Sequence, residues 1–295
     1  MSGPVSALLP DGRRLHLQHG PIDLIIEAFG APAETRLAYH QAISRFETVL
    51  DELVAELDIL RLATTTSVRG AAARRMLAAT AAHPDVFVTP MAAVAGAVAD
   101  EILCALIAGR SLDRAYVNNG GDIALHLAAG EVFDVGMALE DQTAHLAGHL
   151  RISSDDPIRG IATSGHGGRS LSLGIADSVT VLANSAAAAD AAATLIANAV
   201  DLPDHPAIGC QPALELDPDS DLGDRFVTTG VGPLSAADID TALTHGQRAA
   251  LEMKDLGLIA AASLGLQGQV MIVGDDHRPL VPSENLSRQK EVVHA

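Results

Sequence analysis

Two long stretches rich in alanine limit how this chain can fold. Residues 91–108 and 184–199 are apolar over a length that is typical of helices rather than strands. Pro90 stands where proline favours the start of a helix. Because alanine and glycine dominate one side of these helices, the sequence predicts that other backbone segments approach them closely.

Short segments with the composition of strands lie around these helices. The alternation of residues predicts hairpins, a meander and single strands at 15–19, 22–28, 115–117, 123–127, 132–137, 159–163, 178–182, 258–264 and 269–273. Further helices are predicted at 33–62 and 71–82, and a capping box of Ser235 and Asp238 predicts another that reaches Lys254. Regular βαβ alternation is missing, so the predicted class is α+β, with a mixed, mainly antiparallel sheet packed with helices.

The predicted organisation is a single domain over residues 1–276, with a loose tail at 277–295. The acidic, proline-rich segment 201–224 is predicted to be an irregular surface excursion. Cys104 falls in an apolar helical pattern, where a free thiol behaves as a small core residue.

The charge of the chain argues against several classes of partner. With 37 acidic and 19 basic residues, the net charge is −18, which disfavours nucleic acid and anionic membranes. Neither the first 20 residues nor the apolar helices, which contain Asp100, Glu101 and Asp190, fit a signal sequence or a membrane span. We therefore expect a cytoplasmic protein, and the alanine-rich helices could support a homodimer.

The first candidate binding segment interrupts two predicted strands with polar residues and glycine. Its residues are Asn118, Asn119, Gly120, Gly121 and Asp122. Consecutive glycines let backbone N–H groups approach a phosphate, and the aspartate could bind a ribose hydroxyl, a metal or an N–H group. A plain hairpin turn explains the same residues equally well.

The second candidate segment, 161–181, combines glycines with hydroxyl groups, one imidazole and one cation. The residues singled out are Thr163, Ser164, Gly165, His166, Arg169 and Ser170. In so acidic a chain, an isolated arginine beside hydroxyl groups suits an anionic ligand. A flexible surface loop is the alternative, although this segment leads directly into an apolar strand.

The third candidate is the pair Asp190 and Thr194, which are four residues apart on a predicted helix and therefore point in the same direction. A carboxylate and a hydroxyl are oxygen ligands suited to Mg²⁺, which would complete its coordination with water or phosphate oxygens. The alternative is that Asp190 caps or hydrogen-bonds a neighbouring loop.

Together, "VNNGGDI", "IATSG" and "ADAAAT" resemble, in order and spacing, the motifs of the FAD:protein FMN transferase (ApbE) superfamily. The segments "TPMAAVAGAVADEI", "GGRSLSLGIADSVTV" and "ADAAATLIANAV" are similar to a branch of ApbE-like proteins grouped as an uncharacterised protein family (UPF). The resemblance covers about residues 24–273.

This resemblance implies a body related to the T-fold, with FAD or a similar dinucleotide across the Asn-Gly-Gly-Asp loop. It implies that Asp190 and Thr194 bind Mg²⁺, that residues 119–122 contact the nucleotide, and that Thr163 and Ser164 line the same pocket. In such transferases FMN passes from FAD to a protein Thr or Ser and AMP is released.

Two family motifs differ in this chain. An Ala-x-x-Lys-Gly-Tyr segment is replaced at 92–97, and a His-Ile-Ile-Asp-Pro motif is replaced at 173–177, where Asp177 keeps only the aspartate. Three functions stay open: a Mg²⁺-dependent enzyme acting on FAD or another adenine pyrophosphate, a binding protein without chemistry, and an enzyme of the same fold acting on a small organic substrate. His166, Arg169 and the serine hydroxyls would serve the third.

Overall fold

The computed structural model describes residues 3–138, 146–168, 170–274 and 292–294. The helices are α1 (Pro32–Val54), α2 (Leu57–Leu60), α3 (Ala71–Ala81), α4 (Val94–Ile107), α5 (Ala186–Ala199), α6 (Ala213–Leu216) and α7 (Ala236–Asp255), and a short 3-10 helix (Pro90–Ala93) precedes α4. The strands are β1 (Val5–Leu8), β2 (Leu15–His19), β3 (Ile22–Gly30), β4 (Leu112–Asn119), β5 (Asp122–Leu127), β6 (Val132–Ala138), β7 (Leu146–Ser153), β8 (Gly160–Ser164), β9 (Ser178–Ala183), β10 (Ile208–Pro212), β11 (Phe226–Val231), β12 (Ala261–Leu266), β13 (Gln269–Val273) and β14 (Val292–His294).

The main element is a sheet of nine strands in the order β1-β2-β3-β4-β5-β8-β9-β12-β13. Each neighbouring pair in this sheet is antiparallel. A second sheet, β14-β6-β7, contains a parallel pair between β14 and β6, and β10 and β11 form a separate antiparallel pair. The predicted α+β class with a mixed, mainly antiparallel arrangement is confirmed.

The two faces of the main sheet are covered differently. On one face, buried strand residues such as Val117 and Val181 pack under the helices. On the other face, Tyr116 and Ile123 pack against Phe133 and Ile152 of the smaller sheet. We call the first the helix face and the second the opposite face, and the strand pleat assigns alternate residues to each.

Helix α5 lies unusually close to its neighbours. A Cβ atom added at Gly96 of α4 would lie 2.3 Å from the carbonyl oxygen of Ala186, and one at Gly160 of β8 would lie 2.1 Å from that of Ser185. One at Gly174 would lie 2.1 Å from the carbonyl oxygen of Ala197. Glycine at these positions, together with the alanines of α5, lets backbones meet as the sequence predicts.

Several elements differ from the predicted ones. The helix predicted over 33–62 is divided into α1, which ends at Val54, and the short α2. Glu56, between the two, accepts hydrogen bonds from the backbone N–H groups of Arg69 and Gly70. The segment 201–224 contains β10 and α6, and Cys104 is exposed rather than in the core. β14 lies within 277–295, so the extent of the loose tail stays a prediction.

One helical stretch among the described residues, Pro90–Ile107, is long and apolar enough to cross a membrane, with a mean hydropathy of 1.7. In the structure 56% of this stretch is buried inside the fold. Burial of this kind is typical of a core helix, and the stretch by itself is weak evidence of a membrane span.

Candidate active site

The first two candidate segments meet at one end of the main sheet. Asn119 at the end of β4 pairs with Asp122 at the start of β5, and Ile123 of β5 pairs with Ile161 of β8. Because β5 and β8 are antiparallel, the end of β8 at Ser164 lies beside the β4–β5 turn. The sheet therefore brings the Asn-Gly-Gly-Asp turn and the Thr-Ser-Gly segment together.

The strand pleat divides the residues of these segments between the two faces. Asn119, Asp122 and Ser164 alternate with buried residues of the helix face, whereas Thr163 alternates with Ile161 of the opposite face. The hydroxyl of Thr163 makes a 2.9 Å hydrogen bond with that of Thr180, and this pair is exposed. The structure thus places Thr163 and Ser164 on opposite faces of the sheet.

The Asn-Gly-Gly-Asp segment is a tight turn. Gly120 and Gly121 both have positive φ angles, of 66° and 112°, as a two-residue hairpin turn requires. The N–H of Gly121 donates to Oδ1 of Asn118 at 2.9 Å. A Cβ atom at Gly121 would contact nothing within 4 Å, so the space over this glycine is open. The hairpin interpretation is confirmed, and it leaves room for a ligand beside the turn.

Asn119 and Asp190 reach the same point of the fold although 71 positions separate them in the chain. The side-chain amide of the buried Asn119 donates to the carbonyl oxygen of Ala95 at 3.0 Å. The carboxylate of Asp190 accepts from the N–H of Gly96 at 2.9 Å. Since Ala95 and Gly96 are consecutive in α4, the first turn of α4 joins the double-glycine turn to the third candidate segment.

Asp190 caps α4. Helix α4 receives no hydrogen bond from its own N-cap side chain, and the amides of Ala95 and Gly96 in its first turn both hydrogen-bond to Asp190. Burial raises the pKa of Asp190 to about 7, the hydrogen bonds from these amides act against that rise, and the negative charge of Asp100 adds to it. The capping alternative is therefore confirmed, and the ionised carboxylate is costly where it stands.

Thr194 lies one turn further along α5 and is half-buried. Within the described part of the chain, its hydroxyl group has no hydrogen-bond partner and Asp190 has no ion pair with Lys or Arg. The described residues also contain no group of three or more His, Cys, Asp or Glu side chains arranged for a metal ion. A cation bound here would need further oxygen ligands from water or substrate.

The loop after β8 is held by backbone contacts. Nδ1 of His166 lies 3.0 Å from the carbonyl oxygen of Ala176, and since a carbonyl only accepts, Nδ1 carries the proton and Nε2 of neutral His166 carries a lone pair. Nδ1 also lies 3.9 Å from Oδ1 of Asp177, whose Oδ2 accepts from the N–H of Gln267. Asp177 thus orders the β12–β13 turn.

The remaining predicted residues of this loop are less informative. Ser170 is exposed, and Gly165 is buried against the backbone of Asp177, since a Cβ atom there would lie 2.2 Å from its carbonyl oxygen. Arg169 lies outside the described residues. The anion site predicted around Arg169 therefore stays a prediction.

Sequence reasoning missed Asp100. Its two carboxylate oxygens accept from the N–H groups of Ala186 and Ala187 at 3.0 and 2.9 Å, at the first turn of α5. Burial raises the pKa of Asp100, and hydrogen bonds from these two amides oppose the rise. The available signal was an acidic residue within an alanine-rich helix, because a carboxylate in such surroundings needs a partner.

Comparison with known proteins identifies the family. A family model described as AbpE bacteria matches residues 6–272, and the chain belongs to this family. A UPF0280 protein of Methanococcus vannielii is 43% identical over 124 residues, which cover 40% of this chain and 48% of the relative. A UPF0280 protein of Methanopyrus kandleri is 40% identical over 128 residues, covering 43% and 49%. The chain spans about half the length of these curated relatives.

Among solved structures, the flavinyl transferase ApbE of Pseudomonas stutzeri in its apo form is similar, with 11% identity, coverage of 92% of this chain and 94% of that chain, and a TM-score of 0.42. The flavin transferase ApbE of Vibrio cholerae has 13% identity, coverage of 66% and 87%, and a TM-score of 0.40. Scores this low carry no conclusion about ligand or reaction.

Proposed function

We propose that this protein is a Mg²⁺-dependent enzyme that acts on FAD or a related adenine pyrophosphate, either by FMN transfer or by cleavage of the pyrophosphate. The observation that carries the proposal is the meeting of Asn119 and Asp190 at consecutive residues of α4. This contact joins the open double-glycine turn to the carboxylate of the Asp-x-x-x-Thr segment. Membership of the AbpE bacteria family gives further support.

The residues around Asp190 fit a divalent cation. A carboxylate has about four lone-pair sites, so hydrogen bonds from two amides leave positions open for a metal. Desolvation by burial raises the pKa of Asp190, and no Lys or Arg among the described residues forms an ion pair with it, so a divalent ion would supply the positive charge. Asp190 and Thr194 would hold the ion, which when bound would neutralise charge on the pyrophosphate.

The protein groups around this position would orient the substrate. The open backbone at Gly121 would allow phosphate oxygens to approach closely, and Asn119 would keep the turn fixed against α4. His166 has a lone pair on Nε2 and would accept the proton of an attacking hydroxyl group. Positioning and charge neutralisation of this kind are the main requirements of phosphoryl transfer.

The test is incubation of the protein with FAD and Mg²⁺, both with water as the sole acceptor and with added peptides that carry Thr or Ser, followed by chromatographic measurement of AMP and of FMN, free or bound to peptide. We expect release of AMP that requires Mg²⁺ and is lost in Asp190→Asn, which keeps the size of the side chain but removes its charge. Thr194→Val and Thr163→Val form a matched pair, because Thr194 lies one turn after Asp190 on α5, whereas Thr163 lies on the opposite face of the main sheet. Equal activity of these two variants would contradict the proposed metal site.

A binding protein without chemistry is the second candidate. Asp177, which keeps the aspartate of the family's His-Ile-Ile-Asp-Pro motif, accepts a hydrogen bond from the backbone N–H of Gln267, and this contact favours a structural role for it. If FAD and Mg²⁺ raise the melting temperature while no AMP forms, this candidate is preferred. If neither effect is seen, a small organic substrate becomes the better hypothesis.

Other properties stay predictions. Cytoplasmic location is one of them, and a homodimer formed through the alanine-rich helices is another; gel filtration with light scattering would test the oligomeric state. The expected lack of binding to nucleic acid and membranes follows from the net charge of −18.

A further inference from the structure

The two acidic residues at the contact of α4 and α5 cap each other's helices. Asp100 projects from α4 and accepts from the first two amides of α5, those of Ala186 and Ala187. Asp190 projects from α5 and accepts from amides of the first turn of α4, including that of Gly96. Each helix thus supplies the carboxylate that satisfies the start of the other.

The close contact of the two backbones makes this mutual capping of α4 and α5 sensitive to small movements of the helices. Gly96 lies so near Ala186 that an added Cβ atom would meet its carbonyl oxygen at 2.3 Å and its carbonyl carbon at 2.5 Å. Gly96, one of the two residues whose amides Asp190 caps, therefore lies in direct backbone proximity to Ala186 and Ala187, whose amides Asp100 caps. A shift of α5 along α4 would stretch both sets of hydrogen bonds together.

We infer that Asp100 is a positioning residue for the proposed site: by binding the first two amides of α5, it fixes the place where Asp190 meets Gly96. Asp190 lies one turn after Ala186 and Ala187, so the anchored end of α5 determines where its carboxylate stands. The inference depends on the proposed function only in treating Asp190 as a ligand-binding residue.

Ser185→Ala provides a matched control. Ser185 is the N-cap of α5, and its Oγ accepts from the N–H of Ala188 at 3.2 Å. This variant weakens the same helix end as Asp100→Asn, but it leaves the hydrogen bonds between α4 and α5 in place. A general loss of stability would therefore affect both variants alike, whereas loss of positioning would affect only Asp100→Asn.

The experiment measures amide hydrogen exchange at Gly96 in the full chain without ligand. In Asp100→Asn we expect exchange at Gly96 to rise by about tenfold or more, because the hydrogen bond to Asp190 becomes strained. In Ser185→Ala the rate should stay within about twofold of the wild type. An unchanged rate in Asp100→Asn, or an equal rise in both variants, would overturn the inference.

A second variant covers the case in which Asp100→Asn does not fold. Asp190→Asn should raise hydrogen exchange at Ala186 and Ala187, because the two capping interactions are coupled through the contact of α4 with α5. Unchanged protection of these two amides would refute the coupling. In a parallel arm, the thermal shift produced by FAD with Mg²⁺ should shrink in Asp100→Asn and persist in Ser185→Ala; equal shifts in the two variants would count against a positioning role. Exchange at Gly96 tests the positioning, whereas a wild-type response to FAD tests the proposed function.

Discussion

Gly96→Ala tests whether the close contact between α4 and α5 holds the site together. The added Cβ atom would lie 2.3 Å from the carbonyl oxygen of Ala186 and 2.8 Å from the N–H nitrogen of Ala187, where ordinary contact begins at 3.4 Å. These are backbone atoms of a buried helix and cannot turn aside as the end of a side chain can. The two helices must therefore separate by about 1 Å to accept the methyl group.

The expected cost follows from the hydrogen bonds that cross this contact. A separation of this size would weaken the two hydrogen bonds of Asp100 and the one from Gly96 to Asp190, and hydrogen bonds to charged groups contribute about 1.5–3 kcal/mol each. Alanine gains about 1 kcal/mol over glycine within a helix, which offsets part of the loss. We expect a net loss of about 3 kcal/mol in the free energy of unfolding.

Thermal and urea denaturation measure this change. For a chain of this size the loss corresponds to a decrease in Tm of ~6–12 °C. Gly230→Ala is the control, because a Cβ atom at Gly230 would contact nothing within 4 Å, and its Tm should match the wild type. A Gly96→Ala protein as stable as the wild type would refute the packing argument and the coupling of the two acids that depends on it.

Three further predictions concern charged residues. Burial raises the pKa of Asp190 to about 7, so this side chain contributes fully to stability at low pH and the contribution is lost as the pH rises. In urea titrations, the free energy of unfolding of the wild type relative to Asp190→Asn should fall from about pH 4 to about pH 8. A constant difference between the two proteins would contradict this prediction. Burial acts to raise the pKa of Glu101, but hydrogen bonds from Arg45 and Arg75 keep that pKa below its ordinary value. Glu101→Gln should therefore lower the free energy of unfolding by about 3 kcal/mol at pH 7, and by less as the pH falls through the lowered pKa. An unchanged cost in acid would argue against the ion pairs. Asp177→Asn should lower stability by about 1 kcal/mol through the turn at Gln267, without changing the thermal shift by FAD and Mg²⁺, and loss of that shift would give Asp177 a role at the site.

Local patterns predicted many elements correctly because their causes lie within a few residues. The capping box of Ser235 and Asp238 is present at the start of α7, which ends at Asp255, one residue beyond the predicted end. Alternation predicted β2 and β9, and the double glycine predicted a turn with positive φ angles. In each case a side chain or a backbone angle meets its requirement within its own segment.

The same reasoning failed where a distant partner decided the structure. The long helix at 33–62 was predicted to continue, but Glu56 instead hydrogen-bonds to the amides of Arg69 and Gly70 at the start of α3. The family resemblance, rather than a local pattern, implied one pocket for Thr163 and Ser164, whereas adjacent strand residues point to opposite faces of the sheet. Only the position of the strand within the sheet decides which face is covered by helices.

The sequence by itself determined the local elements and residue types: alanine-rich helices, glycines where no Cβ atom fits, and side-chain oxygen atoms at fixed spacing. The tertiary structure decided which parts meet. Asp190 bonds to Gly96 across 94 positions, and Asp100 bonds to Ala186 across 86. No local pattern encodes such pairs, because a buried carboxylate requires hydrogen-bond donors but does not specify which segment provides them.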